Sequence, residues 1–163
     1  YYTLVTSGMG AHRMNVPKEL AEYKLERAEI VVYLPADWNI SDHEEKNYWP
    51  LRWLKILARL PLEEDSWLGW GHSVPNGKPF AENTQLSSVL LINPENVEEG
   101  AAVCQLPNGE EVNFYQMIPL YEEEVNFKIQ NGAETLLGKM GEISAVVDIH
   151  RLNVCEGFGR PKE

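Results

Sequence analysis

Residues 102–120 read AVCQLPNGEEVNFYQMIPL. Asn108 and Gly109 stand between two apolar runs, and Asn-Gly is the dipeptide that most strongly favours a tight hairpin turn, because both central residues of that turn need positive φ. The stretch therefore predicts two antiparallel strands, at residues 102–106 and 112–120. An antiparallel hairpin indicates a sheet that is not built from alternating β-α-β units.

Four other segments have the composition of strands, because they are rich in β-branched and aromatic residues and end near glycine, proline or polar residues. They are residues 1–6 (YYTLVT), 28–34 (AEIVVYL), 86–92 (LSSVLLI) and 145–149 (AVVDI). The unbroken apolar run that ends the third of these predicts a strand buried on both faces.

Two segments have the pattern of helices. Pro50 suits the first position of a helix, and apolar residues then recur with helical spacing as far as Pro61. Residues 121–140 predict a second helical region, which Asn131 and Gly132 divide in two. The apolar residues of the first helix are Trp53, Leu54, Leu57 and Leu60.

These segments predict an α+β fold in which a largely antiparallel mixed sheet is flanked by helices within a single domain. The chain of 163 residues has the length of one such domain. We expect the domain to span residues 1–152, and residues 153–163 to form a polar tail. The chain opens inside a strand-like run without an initiator methionine, so we also expect the N-terminal part of the domain to be truncated.

The formal net charge is −11, from 14 basic and 25 acidic residues. This excess of acids argues against binding to nucleic acid or to anionic membranes. It favours either simple solubility or a basic protein partner, whose approach it would steer. No apolar run approaches the roughly 20 residues of a membrane helix, and no secretory leader opens the chain. Cys104 and Cys155 then predict reduced thiols in the cytoplasm, and the alternative is a single disulfide between them.

Catalytic and metal sites find little support in the spacing of the residues. Asp148 and His150 would lie on one face of a strand, where His12 and His72 could join them as metal ligands, but no recognised ligand spacing is present. Ser73 could combine with His72 and Asp148, yet no nucleophile motif surrounds it. We predict no cofactor, no metal and no catalysis. The alternative is a metal-dependent or Ser/His hydrolase that uses His72, Asp148 and His150.

Aromatic and methionine residues offer two candidate contact surfaces. Trp67 and Trp70 stand beside glycines and a histidine, and they predict either core packing or a binding platform. The loop that follows the first strand contains a second group, which predicts either a packed loop or an adaptable contact surface. Its members are Met9, His12, Arg13 and Met14.

The order of several separated blocks resembles the suppressor-of-fused (SUFU) family, most closely its bacterial branch. The resemblance covers roughly residues 2–151. The blocks are YTLVTSGMGAHRM at 2–14, AEIVVYLP at 28–35, Trp49-Pro50, LARLP at 57–61, Gly71-His72-Ser73, LLI at 90–92, FYQ at 114–116 and the segment ending at Asp148.

The resemblance implies a non-catalytic, intracellular protein-binding module. The animal relatives bind a transcription-factor peptide as an added strand, and one wall of their groove matches residues 70–74 here. We therefore expect a partner-binding site at Trp70, Gly71, His72, Ser73 and Val74, with the Met9 to Met14 loop as its neighbour. Gly71 stands where the animal proteins carry an acid, so their ligand cannot be carried over.

Bacterial relatives act as immunity proteins or antitoxins, which neutralise a cognate toxin. The resemblance therefore implies that another protein is the partner. The acidic charge of this chain fits a basic toxin in that role.

Overall fold

The computed structural model of the chain describes residues 1–142 and 145–159. Its strands are β1 (Tyr2–Val5), β2 (Arg27–Leu34), β3 (Ser73–Pro75), β4 (Ser88–Ile92), β5 (Val103–Gln105) and β6 (Glu111–Leu120). Its α-helices are α1 (Glu45–Glu63), α2 (Glu122–Asn131) and α3 (Ala133–Met140), and two 3-10 helices lie at Met9–Ala11 and Lys18–Tyr23. The predicted division of the last helical region at Asn131 and Gly132 is confirmed.

The sheet has the order β1-β2-β6-β4-β3, with β6 near its centre. Strand β5 pairs with the first part of β6, and β4 pairs with the last part. Only β2 and β6 run parallel, whereas the other pairs are antiparallel. The predicted largely antiparallel mixed sheet is therefore confirmed, and β1 and β3 lie at the two ends of this strand order.

The hairpin that decides the fold class connects β5 to β6, although its turn is wider than predicted. The N–H of Leu106 donates to the carbonyl of Glu110 at 2.8 Å, so three residues, 107–109, form the loop. Gly109 has a φ of +84°, but Asn108 does not adopt positive φ. Instead the side-chain oxygen of Asn108 accepts the N–H of Glu110 at 3.0 Å. This local hydrogen bond replaces the tight turn.

Helices cover both faces of the sheet and create two cores. Helix α1 packs on one face, where its Trp49, Trp53 and Leu57 meet Ile30 and Met117. Helices α2 and α3 pack on the other face, where the cluster includes Leu90, Leu120, Val125 and Leu136. Each of these side chains contributes about 1.5–3 kcal/mol by leaving water. The sheet is therefore covered by a buried apolar cluster on each face.

Helix α1 begins before the predicted position and ends after it. It starts at Glu45 rather than at Pro50, and it continues through Pro61 to Glu63. Each internal proline removes one helical hydrogen bond. The extra first turn is held by Trp49, which is fully buried and stacks on Phe80 with ring centroids 4.6 Å apart. Tertiary packing therefore outweighs the start signal that Pro50 gives.

The predicted strand at residues 145–149 was wrong. In the described part of the chain this segment forms one isolated parallel bridge, between Val146 and Tyr33. The chain turns away soon after it, because a carboxylate oxygen of Asp148 accepts the N–H of His150 at 2.9 Å. Residues 143–144, which precede the bridge, lie outside the described residues.

The segment predicted as a polar tail packs against the second core as far as it is described. Cys155 is buried there, and the ring of Phe158 lies edge-on to that of Phe127, with centroids 5.1 Å apart. Residues 160–163 lie outside the described part of the chain, and the domain boundary at residue 152 stays a prediction. Cys104 is exposed and forms no disulfide with Cys155. None of the described helices is long and apolar enough to span a membrane.

Candidate partner-binding site

The segment that leads into β3 is a turn with Trp70 at its tip. The N–H of His72 donates to the carbonyl of Gly69 at 3.1 Å, which closes a four-residue turn. Gly71 has a φ of +79°, as the third residue of a type II turn requires. Trp70 is 40% exposed at this tip, whereas Trp67 is half-buried against the first core. Trp67 therefore packs against the core, whereas Trp70 forms an exposed surface.

Among the residues that the structure describes, β4 is the one strand that pairs with β3, and Ser73 directs its backbone N–H and carbonyl to the opposite edge. The N–H of Leu91 donates to the carbonyl of His72, and the N–H of Asn76 donates to the carbonyl of Ser87. Because such bonds alternate along an antiparallel pair, Ser73 and Pro75 direct their backbone groups away from β4. Pro75 has no N–H, as is common on edge strands. An added strand would therefore find the N–H and carbonyl of Ser73 and the carbonyl of Pro75.

A cleft of about 820 Å³ adjoins this edge, and we call it the β3 cleft. Strand β3, helix α2 and residues 151–156 supply most of its lining. Ile129 and Leu152 in that lining are 70% and 85% exposed, which is unusual for large apolar side chains. Its acidic residues are Glu122, Glu123 and Glu156, and its basic residues are Lys78 and Arg151. The cleft therefore combines apolar contact area with a small excess of acidic residues.

A buried ion pair holds the far wall of the β3 cleft. Arg151 donates to both carboxylate oxygens of Glu124, at 2.7 and 2.5 Å. Glu124 is completely buried, and it also accepts the N–H of Tyr121 and of Val154. The first turn of α2 and residues 151–154 are thereby fixed to each other.

The side chains of His72, Ser73 and Val74 point to alternate faces of β3. The ring of His72 lies edge-on to the ring of Trp67, with centroids 4.4 Å apart. Burial lowers the pKa of the imidazole, and a hydrogen bond to the backbone of Trp67 offsets part of this change. Val74 packs against the first core. Ser73 faces α2 and accepts a hydrogen bond from Nζ of Lys128 at 3.1 Å. Of the three, Ser73 borders the β3 cleft.

The loop that follows β1 is fixed by Glu29, which is buried in β2. Its carboxylate accepts the hydroxyl of Thr6 at 2.5 Å and the N–H groups of Gly8 and Gly10 at 2.9 Å each. A Cβ at Gly10 would come within 2.9 Å of Val112 Cγ1, so this glycine serves packing. The loop is therefore well supported from below.

The four predicted contact residues of this loop separate into two groups. Met9 and Met14 are buried, and the sulfur of Met14 accepts the N–H of Leu68 at 3.4 Å. His12 and Arg13 are exposed, and Arg13 forms an ion pair with Glu110. Met14 thus supports the segment that leads to Trp70, Met9 belongs to the first core, and His12 and Arg13 face solvent.

The residues of the alternative hydrolase are not brought together. His72 contacts Trp67, whereas Asp148 accepts the backbone N–H of His150. Within residues 1–142 and 145–159, no group of three or more His, Cys, Asp or Glu side chains is placed to hold a metal ion.

Three features in or beside the β3 cleft were not predicted from the sequence: the exposed Ile129, Lys128 next to Ser73, and the Glu124–Arg151 ion pair. The ion pair joins residues 27 positions apart, and the Lys128–Ser73 contact joins residues 55 apart. Periodicity gives no signal for such contacts. For Ile129, in contrast, periodicity does give a signal, because the helical spacing shows that this apolar residue lies on the polar face of α2.

Comparisons with known proteins agree on the family. The family described as suppressor of fused protein (SUFU) matches residues 1–152. A protein of Ureaplasma parvum serovar 3 (strain ATCC 700970), uncharacterized protein UU111, is 28% identical over 149 residues, which cover 91% of this chain and 71% of that protein.

Three solved structures share the fold. A SUFU homologue from Neisseria gonorrhoeae FA 1090 has a TM-score of 0.64 and 19% identity, over 93% of this chain and 69% of that chain. Drosophila Suppressor of Fused has a TM-score of 0.66 and 15% identity, over 93% of this chain and 38% of that chain. A chain of the Sufu–Fu complex has a TM-score of 0.61 and 15% identity, over 77% of this chain and 57% of that chain. The chain thus spans little more than half of the Sufu chain in that complex.

Proposed function

The chain belongs to the suppressor of fused family, and on this basis we propose that it is a non-catalytic module that binds a segment of another protein at the β3 edge. The observation that carries the proposal is the free backbone of Ser73 beside the β3 cleft. A relative of the same fold was solved as the Sufu–Fu complex, that is, bound to another protein. An extended segment that pairs with Ser73 would lie beside Trp70 and above Ile129 and Leu152.

The proposed partner is a basic protein, and we take a cognate toxin as the most specific candidate. The net charge of −11 and the acidic residues of the β3 cleft would attract such a partner. This role places the protein in the cytoplasm, where Cys104 and Cys155 stay reduced. It makes the chain an immunity protein or antitoxin that acts by occupying the toxin rather than by chemistry.

Substitution of Trp70 tests the proposal. Trp70→Ala should weaken binding by about 2 kcal/mol or more, roughly 30-fold, because a large aromatic side chain at an interface is a typical hot spot. His72→Ala should have a smaller effect, since its ring packs inward on Trp67. The partner is captured from the source cell with wild-type protein, purified, and titrated against each variant.

Tyr23→Ala is the matched control. Tyr23 is an exposed aromatic residue of the second 3-10 helix and does not border the β3 cleft. Its loss should leave the affinity unchanged. If Trp70→Ala folds and binds as tightly as Tyr23→Ala does, the partner uses another face and the proposed site is wrong.

A further inference from the structure

Lys128 is a half-buried cation beside the β3 edge. Its Nζ donates to Oγ of Ser73 at 3.1 Å. Among the residues that the structure describes, no carboxylate lies within the 4.0 Å of an ion pair with this ammonium group. Burial lowers its pKa, which reflects the loss of water around the charge. The charge of Lys128 therefore loses part of its hydration without gaining an ion pair among the described residues.

The usual helical partner of Lys128 is already occupied. A glutamate four residues earlier is the acid best placed to pair with a lysine on a helix, and Glu124 stands at that position. Both of its carboxylate oxygens, however, accept from Arg151. Lys128 is thus left with the hydroxyl of Ser73, which is a neutral acceptor.

The geometry of an added strand directs a side chain of the partner to this pair. Residues directly opposite each other on neighbouring strands project to the same face of the sheet, with Cβ atoms about 4.5–5.5 Å apart. Ser73 projects toward α2 and holds Lys128 there. The residue opposite Ser73 in a bound segment would therefore point at both groups.

We propose that Ser73 and Lys128 form a carboxylate-binding site at the β3 edge. The inference rests on the proposed function and names the chemistry that the bound segment must carry opposite Ser73. The carboxylate is an Asp or Glu side chain, or the C-terminal carboxylate of the partner. Oγ of Ser73 accepts from Lys128, so its own proton is available to donate to the carboxylate.

This site agrees with a partner that is basic elsewhere. Glu122 lies at the start of α2, six residues before Lys128 and so about 9 Å away along the helix axis. Lys128 therefore makes the surface beside Ser73 cationic, whereas the cleft lining has the acids Glu122, Glu123 and Glu156 together with Lys78 and Arg151. A segment with one acid followed by basic residues would match both ends and would bind in a single direction.

Selection of peptides tests the site without knowledge of the natural partner. Phage-displayed random decapeptides are selected on wild-type protein, and those whose binding is lost with Trp70→Ala are kept. We expect Asp or Glu at one fixed position of these peptides. Lys128→Met should remove this preference and weaken the best acidic peptide by about tenfold or more. Lys128→Glu should instead select Lys or Arg at that position.

Lys139→Met is the matched control, because Lys139 is an exposed lysine of the neighbouring helix α3 that lies over the ring of Phe127. Lys139→Met should leave unchanged both the preference for Asp or Glu and the affinity for the best acidic peptide.

Synthetic peptides with free and with amidated C-termini distinguish a side-chain carboxylate from a C-terminal carboxylate. If amidation removes binding, the site takes a C-terminal carboxylate; if it does not, the site takes a side chain.

Two results would overturn the inference, and they differ. Trp70-dependent peptides with no acidic position, bound equally well by wild type and Lys128→Met, would refute the carboxylate site and leave the proposed function standing. If no peptide depends on Trp70, the proposed function fails and this inference fails with it.

Discussion

Two arginines of this chain have nearly the same local partners and differ in burial. Arg151 pairs with Glu124 and Arg52 pairs with Glu45, and each guanidinium lies about 5 Å from the centre of a tyrosine ring. The side chains of the first pair are 8% and 0% exposed, and those of the second are 49% and 45% exposed. Removal of one partner leaves a buried charge uncompensated only in the first pair.

We therefore predict that Arg151→Met lowers the free energy of unfolding by about 3–5 kcal/mol, because Glu124 would keep its charge in the core without a counter-ion. Arg52→Met is the control and should cost about 1 kcal/mol or less, since water screens the exposed pair. Urea unfolding at neutral pH measures both.

A double variant separates the uncompensated charge from the lost packing. Glu124→Gln removes the negative charge and keeps one carbonyl oxygen, which can accept from either the N–H of Tyr121 or that of Val154. Combined with Arg151→Met, it should be more stable than Arg151→Met alone. An Arg151→Met variant as stable as Arg52→Met would contradict this account.

At the scale of elements, two glycines show how position decides the effect of one methyl group. Gly71 has a φ of +79° in the turn that presents Trp70. Gly138 lies inside α3, without positive φ and with open space where a Cβ would be. L-residues are strained at the first position and favoured at the second.

Gly71→Ala should therefore lower the unfolding free energy by about 1–2 kcal/mol, whereas Gly138→Ala should raise it by about 0.5–1 kcal/mol. Thermal unfolding at equal concentration compares the two variants with wild type. The space at Gly71 does not decide the result, because the nearest atom to an added Cβ is Ala133 Cβ at 3.5 Å, an ordinary contact. Stabilisation by Gly71→Ala would show that the turn is not type II.

The elements that sequence reasoning predicted well are those whose signal is local. The hairpin between β5 and β6, the strand β4 and the break at Gly132 each depend on residues that are neighbours in sequence. Helix α1 and the segment at 145–149 were predicted less well. The first turn of α1 depends on Phe80, and residues 145–149 form only one bridge, to Tyr33. These outcomes are set by contacts between distant residues.

The candidate site shows the same division. The resemblance to the family directed attention to residues 70–74, and the structure places Ser73 on a free edge and Trp70 at an exposed turn. It could not reveal Lys128 beside Ser73, because that contact depends on how α2 lies against β3. The chemistry of a surface formed by two elements becomes visible only when both are in place.

At the scale of the whole molecule, the charge predicts how the partner arrives. With 25 acidic and 14 basic residues, the field of the protein extends about 10 Å into solvent at roughly 0.1 M salt and would attract the proposed basic partner before contact. Raising the salt from about 50 mM to about 500 mM should slow association by roughly tenfold and change dissociation much less. Stopped-flow mixing with the captured partner measures both rates.

Two double variants show whether the attraction is concentrated at the β3 cleft. Glu122→Gln with Glu156→Gln removes two charges from the lining of the cleft. Glu19→Gln with Glu22→Gln removes two charges from the second 3-10 helix. Because the net charge changes equally, a larger loss of association rate in the first variant would place the encounter at the cleft. Association that does not depend on salt, in wild type and in both variants, would contradict a basic partner.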